Sequence, residues 1–137
     1  MDVVTNTGAI RARIVAVLLG MALLLLGATV PSRLFGGSLL SLFLFDIVTY
    51  TVTAVVLGFL WPSSGWRLGL YLVAVWPPLF LIGLFLSWEE PAKLSMSLTN
   101  LLGYLLVVVG ASVGAGFGAL LSHRSNANVK RDGFSSR

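Results

Sequence analysis

The sequence predicts an all-α integral membrane protein, with four transmembrane helices in a compact bundle. Three observations lead there. Apolar residues make up 57% of the chain and charged residues 10%, against about a quarter charged in a soluble domain. The charges collect at the two ends and at short breaks between long uncharged runs. Those runs are continuous and do not alternate, so they do not fit membrane strands. In lipid a helix satisfies its own backbone hydrogen bonds.

The elements follow in order. Residues 1–13 form a polar leader ending in Arg11 and Arg13. The first apolar run spans about 14–32 and stops around Pro31, Ser32 and Arg33. The second covers 39–61 and is interrupted by Asp46. Pro62, Ser63, Ser64 and Gly65 then make a turn. The third run covers 68–88 and ends at Glu89, Glu90, Pro91 and Lys93; the fourth covers 97–121. About 20 apolar residues cross the hydrocarbon, and each run approaches or meets that length. Residues 122–137 form a basic tail without apolar period, expected to be disordered.

The first run has a second reading. A basic leader, an apolar stretch and small residues after it also fit a cleaved signal peptide, which would leave three spans. Leu26-Gly27-Ala28 is a poor small-x-small cleavage site, and Pro31 stands close behind it.

Basic residues set the expected orientation. With the N-terminus inside, Arg11, Arg13, Arg67, Arg124, Lys130, Arg131 and Arg137 fall on the cytoplasmic side. Arg33 and Lys93 fall outside. This bias predicts a plasma- or inner-membrane protein with both termini cytoplasmic. Trp61, Trp66 and Trp88 stand at run ends, where aromatic rings favour the interface.

Composition removes several function classes. The chain has no cysteine, and its one histidine, His123, lies in the tail. Thiolate metal sites and a bis-His haem within one chain are therefore excluded. No phosphate-binding loop or nucleophile–base set occurs at membrane depth. We expect no enzyme activity, no cofactor and no nucleic-acid partner. The expected partners are the bilayer itself and, through the fourth helix, a second copy or another membrane protein.

Three features could carry function. Gly110, Gly114 and Gly118 repeat at i+4 and share a helical face with Gly103. Such a face admits another helix closely, within the bundle or between copies. Pro77 and Pro78 remove two backbone donors in the third run and predict a kink there. Asp46 heads a stripe with Thr49, Tyr50 and Thr53. An acid inside a span is a functional candidate, or it serves structure by hydrogen-bonding a neighbour. Asn100 and Tyr104 of the fourth run are the expected partners, at similar depth. The second run inserts without any such partner. Its aliphatic and Phe residues, at about −0.3 to −0.6 kcal/mol each, outweigh the roughly 3 kcal/mol cost of one Asp.

The leading expectation for function is a non-catalytic accessory subunit or self-assembling membrane bundle. The alternative is a small ion- or proton-coupled transporter or channel using Asp46 and the proline-broken third helix.

Overall fold

Two prolines and a series of glycines decide how this chain is arranged. The structure is a computed structural model, and it describes residues 3–34, 39–86 and 91–135. The Glu89-Glu90 break and Arg137 lie outside the described residues. Every element described is helical: α1 Val3–Leu34, α2 Leu39–Leu60, α3 Arg67–Leu72, α4 Trp76–Leu86 and α5 Pro91–Ser135. Three of these helices contain stretches long and apolar enough to cross a membrane: Thr7–Gly27, Phe43–Leu60 and Asn100–Asn126.

The third run differs from its expectation. A single helix over 68–88 with a kink at Pro77-Pro78 is not what forms; α3 and α4 are separate helices joined by a turn over residues 73–75. The missing donors explain where the break falls. In a continuous helix the Val73 and Ala74 carbonyls would accept from residues 77 and 78, both proline. The Val73 carbonyl instead accepts the Trp76 N–H at 3.0 Å, and the Ala74 N–H reaches the Tyr71 carbonyl at 3.3 Å. Pro77 and Pro78 then sit in the first turn of α4, where a helix needs no donors.

The C-terminal end differs as well, while the polar leader joins the first helix. α1 begins at Val3, so most of the polar leader is helical. α5 runs to Ser135 and includes the segment expected to be a disordered tail. Between Ser122 and Arg131 no glycine or proline interrupts the chain, so nothing local stops the helix. With 45 residues, α5 is about 68 Å long at helical rise. That is about twice the hydrocarbon thickness.

The interior is built from small residues. Ala12, Ala16, Ala54, Ala111 and Ala115 are fully buried, with Leu68 and Leu72 among them. Large aliphatic side chains such as Leu25, Val48, Val52, Val113 and Leu120 are exposed on the outside. In lipid this arrangement carries no cost, and close backbone approach becomes the main source of packing energy.

Glycines mark the closest approaches. A Cβ on Gly58 would overlap the Ala115 carbonyl, and one on Gly118 would overlap the Val55 carbonyl. On Gly114 it would stand 2.7 Å from the Thr51 carbonyl oxygen, and on Gly110 2.7 Å from the Thr51 hydroxyl. Gly103 lies under the Phe43 ring. The glycine face of α5 is thus occupied by α2 of the same chain. Gly69 of α3 meets the Ala111 carbonyl of α5, and Gly20 of α1 meets the Leu72 carbonyl of α3.

The same pairs give helix directions. Phe43–Gly103, Thr51–Gly114 and Val55–Gly118 advance together, so α2 and α5 run parallel. Trp66–Gly116 and Gly69–Ala111 advance oppositely, so α3 runs antiparallel to α5, and Trp76 at the start of α4 continues that course to Tyr104. Around the bundle α1 packs on α2 and α3, and α5 also packs on α2 and α3. The α4 backbone approaches only α5 among the described residues, and no residue of α4 is fully buried.

Candidate functional site

The polar residues of the membrane core converge on α2. Its residues 43, 47, 51 and 55 recur at i+4 and face α5, as their contacts with Gly103, Gly110, Gly114 and Gly118 show. Asp46, Tyr50, Ala54 and Leu57 make the adjacent stripe, and all four are buried. Asp46 therefore points away from α5 and towards α1.

The Asp46 carboxyl lies directly against Gly27, and a Cβ at position 27 would overlap its Oδ1. Asp46 is 9% exposed, and Oδ1 has no hydrogen-bond partner among the described residues. Buried polar atoms usually have one, and each exception calls for a reason. Thr49, three residues on, is already engaged: its Oγ1–H donates to the Phe45 carbonyl at 2.7 Å and lies 3.2 Å from the Asp46 carbonyl.

One turn along, Tyr50 is fully buried and joins three helices. Its hydroxyl donates to the Gly20 carbonyl of α1 at 2.9 Å. The same oxygen accepts the Trp76 Nε1–H of α4 at 3.0 Å. The Tyr50 and Trp76 rings meet edge to face, with centroids 6.3 Å apart. Trp76 in turn stacks on Tyr104 of α5, with centroids 6.0 Å apart. Trp76 opens α4 beside the proline pair, so the break in the third run delivers this indole to the core.

The partners expected for Asp46 are corrected by this geometry. Asn100 is exposed, and the Tyr104 ring is engaged by Trp76. The Phe43 ring of α2 lies over Gly103, between Asn100 and Tyr104 in sequence. Thr53 is half-buried. The stripe of Asp46, Thr49, Tyr50 and Thr53 therefore does not share one partner surface. Asp46 and Tyr50 face α1, while the Thr49 hydroxyl turns back on its own helix.

Sequence reading missed Gly20, Gly27 and Trp76. Gly20 and Gly27 stand seven residues apart in an aliphatic run, two turns on one face, and that spacing was the available signal. Trp76 was visible only as the residue before the prolines. Among the described residues, a second buried oxygen without a partner, Ser112 Oγ, lies on α5 beside Gly69.

Comparison with known protein families, with characterised proteins and with solved structures returns no match. The site's own chemistry is therefore the basis for a functional reading. What it holds is one carboxyl, sealed between two helices with an open oxygen, next to an aromatic cluster that ties α1, α2, α4 and α5 together.

Proposed function

We propose that this chain is a four-crossing plasma- or inner-membrane protein that acts as a small proton-coupled transporter or channel through Asp46. Support for four crossings comes from helix direction. α2 and α5 run parallel, so the chain must return across the membrane between them. α3 runs antiparallel to α5 and leads to α4 at Trp76, which stacks on Tyr104, so these two helices are the elements available for that return. Support for a cytoplasmic N-terminus comes from the positive-inside bias, and from Arg13 and Arg67 lining one cavity at the same end of the bundle.

The observation that carries the functional reading is the unpartnered Oδ1 of Asp46. A carboxyl serving structure alone would use its oxygens as hydrogen-bond acceptors. This one is buried beside Gly27 with an acceptor left over. In a low-dielectric setting such a group is costly and marks an ion or proton path. The neighbouring break between α3 and α4 supplies an element that can shift without disrupting the α2–α5 seam.

The test is flux. Purified protein in liposomes loaded with a pH-sensitive dye is expected to pass protons under an imposed pH gradient. Asp46→Asn keeps the shape of the side chain and removes its titration, so it is expected to fold and to lose the flux. Wild-type liposomes indistinguishable from empty ones would remove this reading.

A second reading is a non-catalytic accessory membrane component. The observation favouring it is α4, which has no buried residue and leaves Phe85 84% exposed. Self-assembly through the glycine face receives no support, because Gly103, Gly110, Gly114 and Gly118 all meet α2 of the same chain.

A further inference from the structure

At the end of the bundle opposite Asp46, the start of α1 and the turn between α2 and α3 line a half-open cavity of about 740 Å³. Arg13, Arg67, Ser63, Ser64, Trp66 and Tyr71 contribute its chemistry. Among the described residues, no acidic side chain lines it. The Arg13 guanidinium stands 5.3 Å from the centroid of the Tyr71 ring, a cation–π distance that holds it at the wall. The turn is fixed by Gly65, whose φ of +48° suits glycine, and by the Ser64 N–H donating to the Trp61 carbonyl at 3.1 Å. The Arg67 side chain makes no hydrogen bond or ion pair among the described residues.

We propose that this cavity is a binding site for the phosphoryl group of an anionic phospholipid headgroup. The donor set fits that chemistry. Two guanidinium groups offer planar pairs of N–H donors that match phosphate oxygens, and two serine hydroxyls add neutral donors. With no carboxylate among the described lining residues, the two positive charges are left for a ligand. The volume exceeds what a bare phosphate fills and falls within the range of small-molecule sites. Its place favours lipid over a free anion. The cavity begins at Trp61, one residue past the apolar stretch Phe43–Leu60, which is the depth where headgroups lie. Ile14 and Leu60, next in sequence to Arg13 and Trp61, are exposed apolar side chains available to acyl chains. Trp66 is 55% exposed at the rim, where indoles favour the interface.

The test uses the full chain in neutral detergent, with phosphatidylglycerol or phosphatidylcholine added and lipid retention read by native mass spectrometry. Phosphatidylglycerol is expected to bind in preference to phosphatidylcholine. Arg67→Gln is expected to weaken it about fivefold, the equivalent of ~1 kcal/mol per basic residue. Arg13→Gln/Arg67→Gln is expected to weaken it about 30-fold, if the two contributions add. Arg124→Gln, on α5 and outside the cavity, is expected to leave binding unchanged. Loss of Arg13 also removes its contact with Tyr71, so Arg67→Gln, which breaks no contact, carries the test even if the double variant unfolds. Equal retention of the two lipids, or an unchanged Arg67→Gln, overturns the site. Displacement of the lipid by millimolar inorganic phosphate alone overturns the lipid assignment.

Discussion

The indole N–H of Trp76 donates to the phenol oxygen of Tyr50 at 3.0 Å, and that hydroxyl donates in turn to the Gly20 carbonyl at 2.9 Å. Two helices are joined to α1 through one hydroxyl. Tyr50→Phe keeps the ring and deletes the relay, leaving a buried carbonyl and an indole donor without their partner. The expected loss is about 1–2 kcal/mol, at the upper end of hydrogen-bond effects in membrane proteins. Trp76→Phe should cost more, because it also gives up the stack on Tyr104. Denaturation in mixed micelles measures both. A double-mutant cycle should show coupling between the two positions; additive losses would mean the bond contributes nothing.

The α2–α5 seam admits no side chain at its glycines. Gly118→Leu would drive a side chain into the backbone at Val55, and Gly114→Leu into Thr51. Either is expected to destabilise the single chain severely, by more than about 3 kcal/mol, as overpacking against rigid backbone does. The oligomeric state should not be the property that changes. Gly83→Ala is the matched control, since a Cβ there meets nothing within 4 Å. It should be neutral or stabilising by up to about 1 kcal/mol, from helix propensity. Size-exclusion chromatography with light scattering, beside thermal melts, separates the outcomes. A folded Gly118→Leu with altered oligomer size would place the seam between chains.

How much of this could be read beforehand depends on the kind of signal. Apolar runs of span length predicted helices over 39–61 and 97–121, and α2 and α5 cover both. The i+4 spacing of Gly110, Gly114 and Gly118 is visible in the sequence as one helical face, and periodicity is the signal that shows it. Which helix would fill the face was not legible, because a small-residue pattern carries no mark of its partner. The proline pair foretold a disturbance in the third run, but its size depended on whether Val73 and Ala74 could find other donors. Asp46 was conspicuous as an acid in an apolar run. Its direction rested on a one-residue offset between the α5-facing and α1-facing stripes of α2, and a single Gly27 decides what it touches.

Helix direction makes an accessible-side test simple, because the native chain contains no cysteine. Single cysteines at Ser64 and His123 are expected to react with a membrane-impermeant maleimide from one side, the side of the N-terminus. Residue 64 follows the end of α2, and residue 123 lies in α5 beyond Gly118, which pairs with Val55 near that same end. Labelling of the two from opposite sides would contradict parallel spanning helices, and with them the return path through α3 and α4.

The contact between Asp46 and Gly27 leads to the most specific expectation. Glycine is the one residue type at position 27 whose lack of a side chain leaves room for the carboxyl, since a Cβ would overlap Oδ1. Gly27→Ala should therefore destabilise the bundle by about 1–3 kcal/mol, through overpacking at a buried contact. It should also disturb any proton flux, because the carboxyl must move. Asp46→Ala removes the atoms that the new methyl group would strike. In that background the cost of Gly27→Ala should largely vanish, leaving only the small helix-propensity gain of alanine over glycine. Asp46→Leu refills the space with a bulky apolar side chain, and in that background Gly27→Ala should again be costly. Thermal melts of the wild type, Gly27→Ala, Asp46→Ala and the variant carrying both substitutions measure the coupling directly. Equal costs of Gly27→Ala in the two backgrounds would show that position 27 does not shape the carboxyl's surroundings. Flux lost in Asp46→Asn but kept in Gly27→Ala would show that titration at residue 46 matters while its packing against α1 does not.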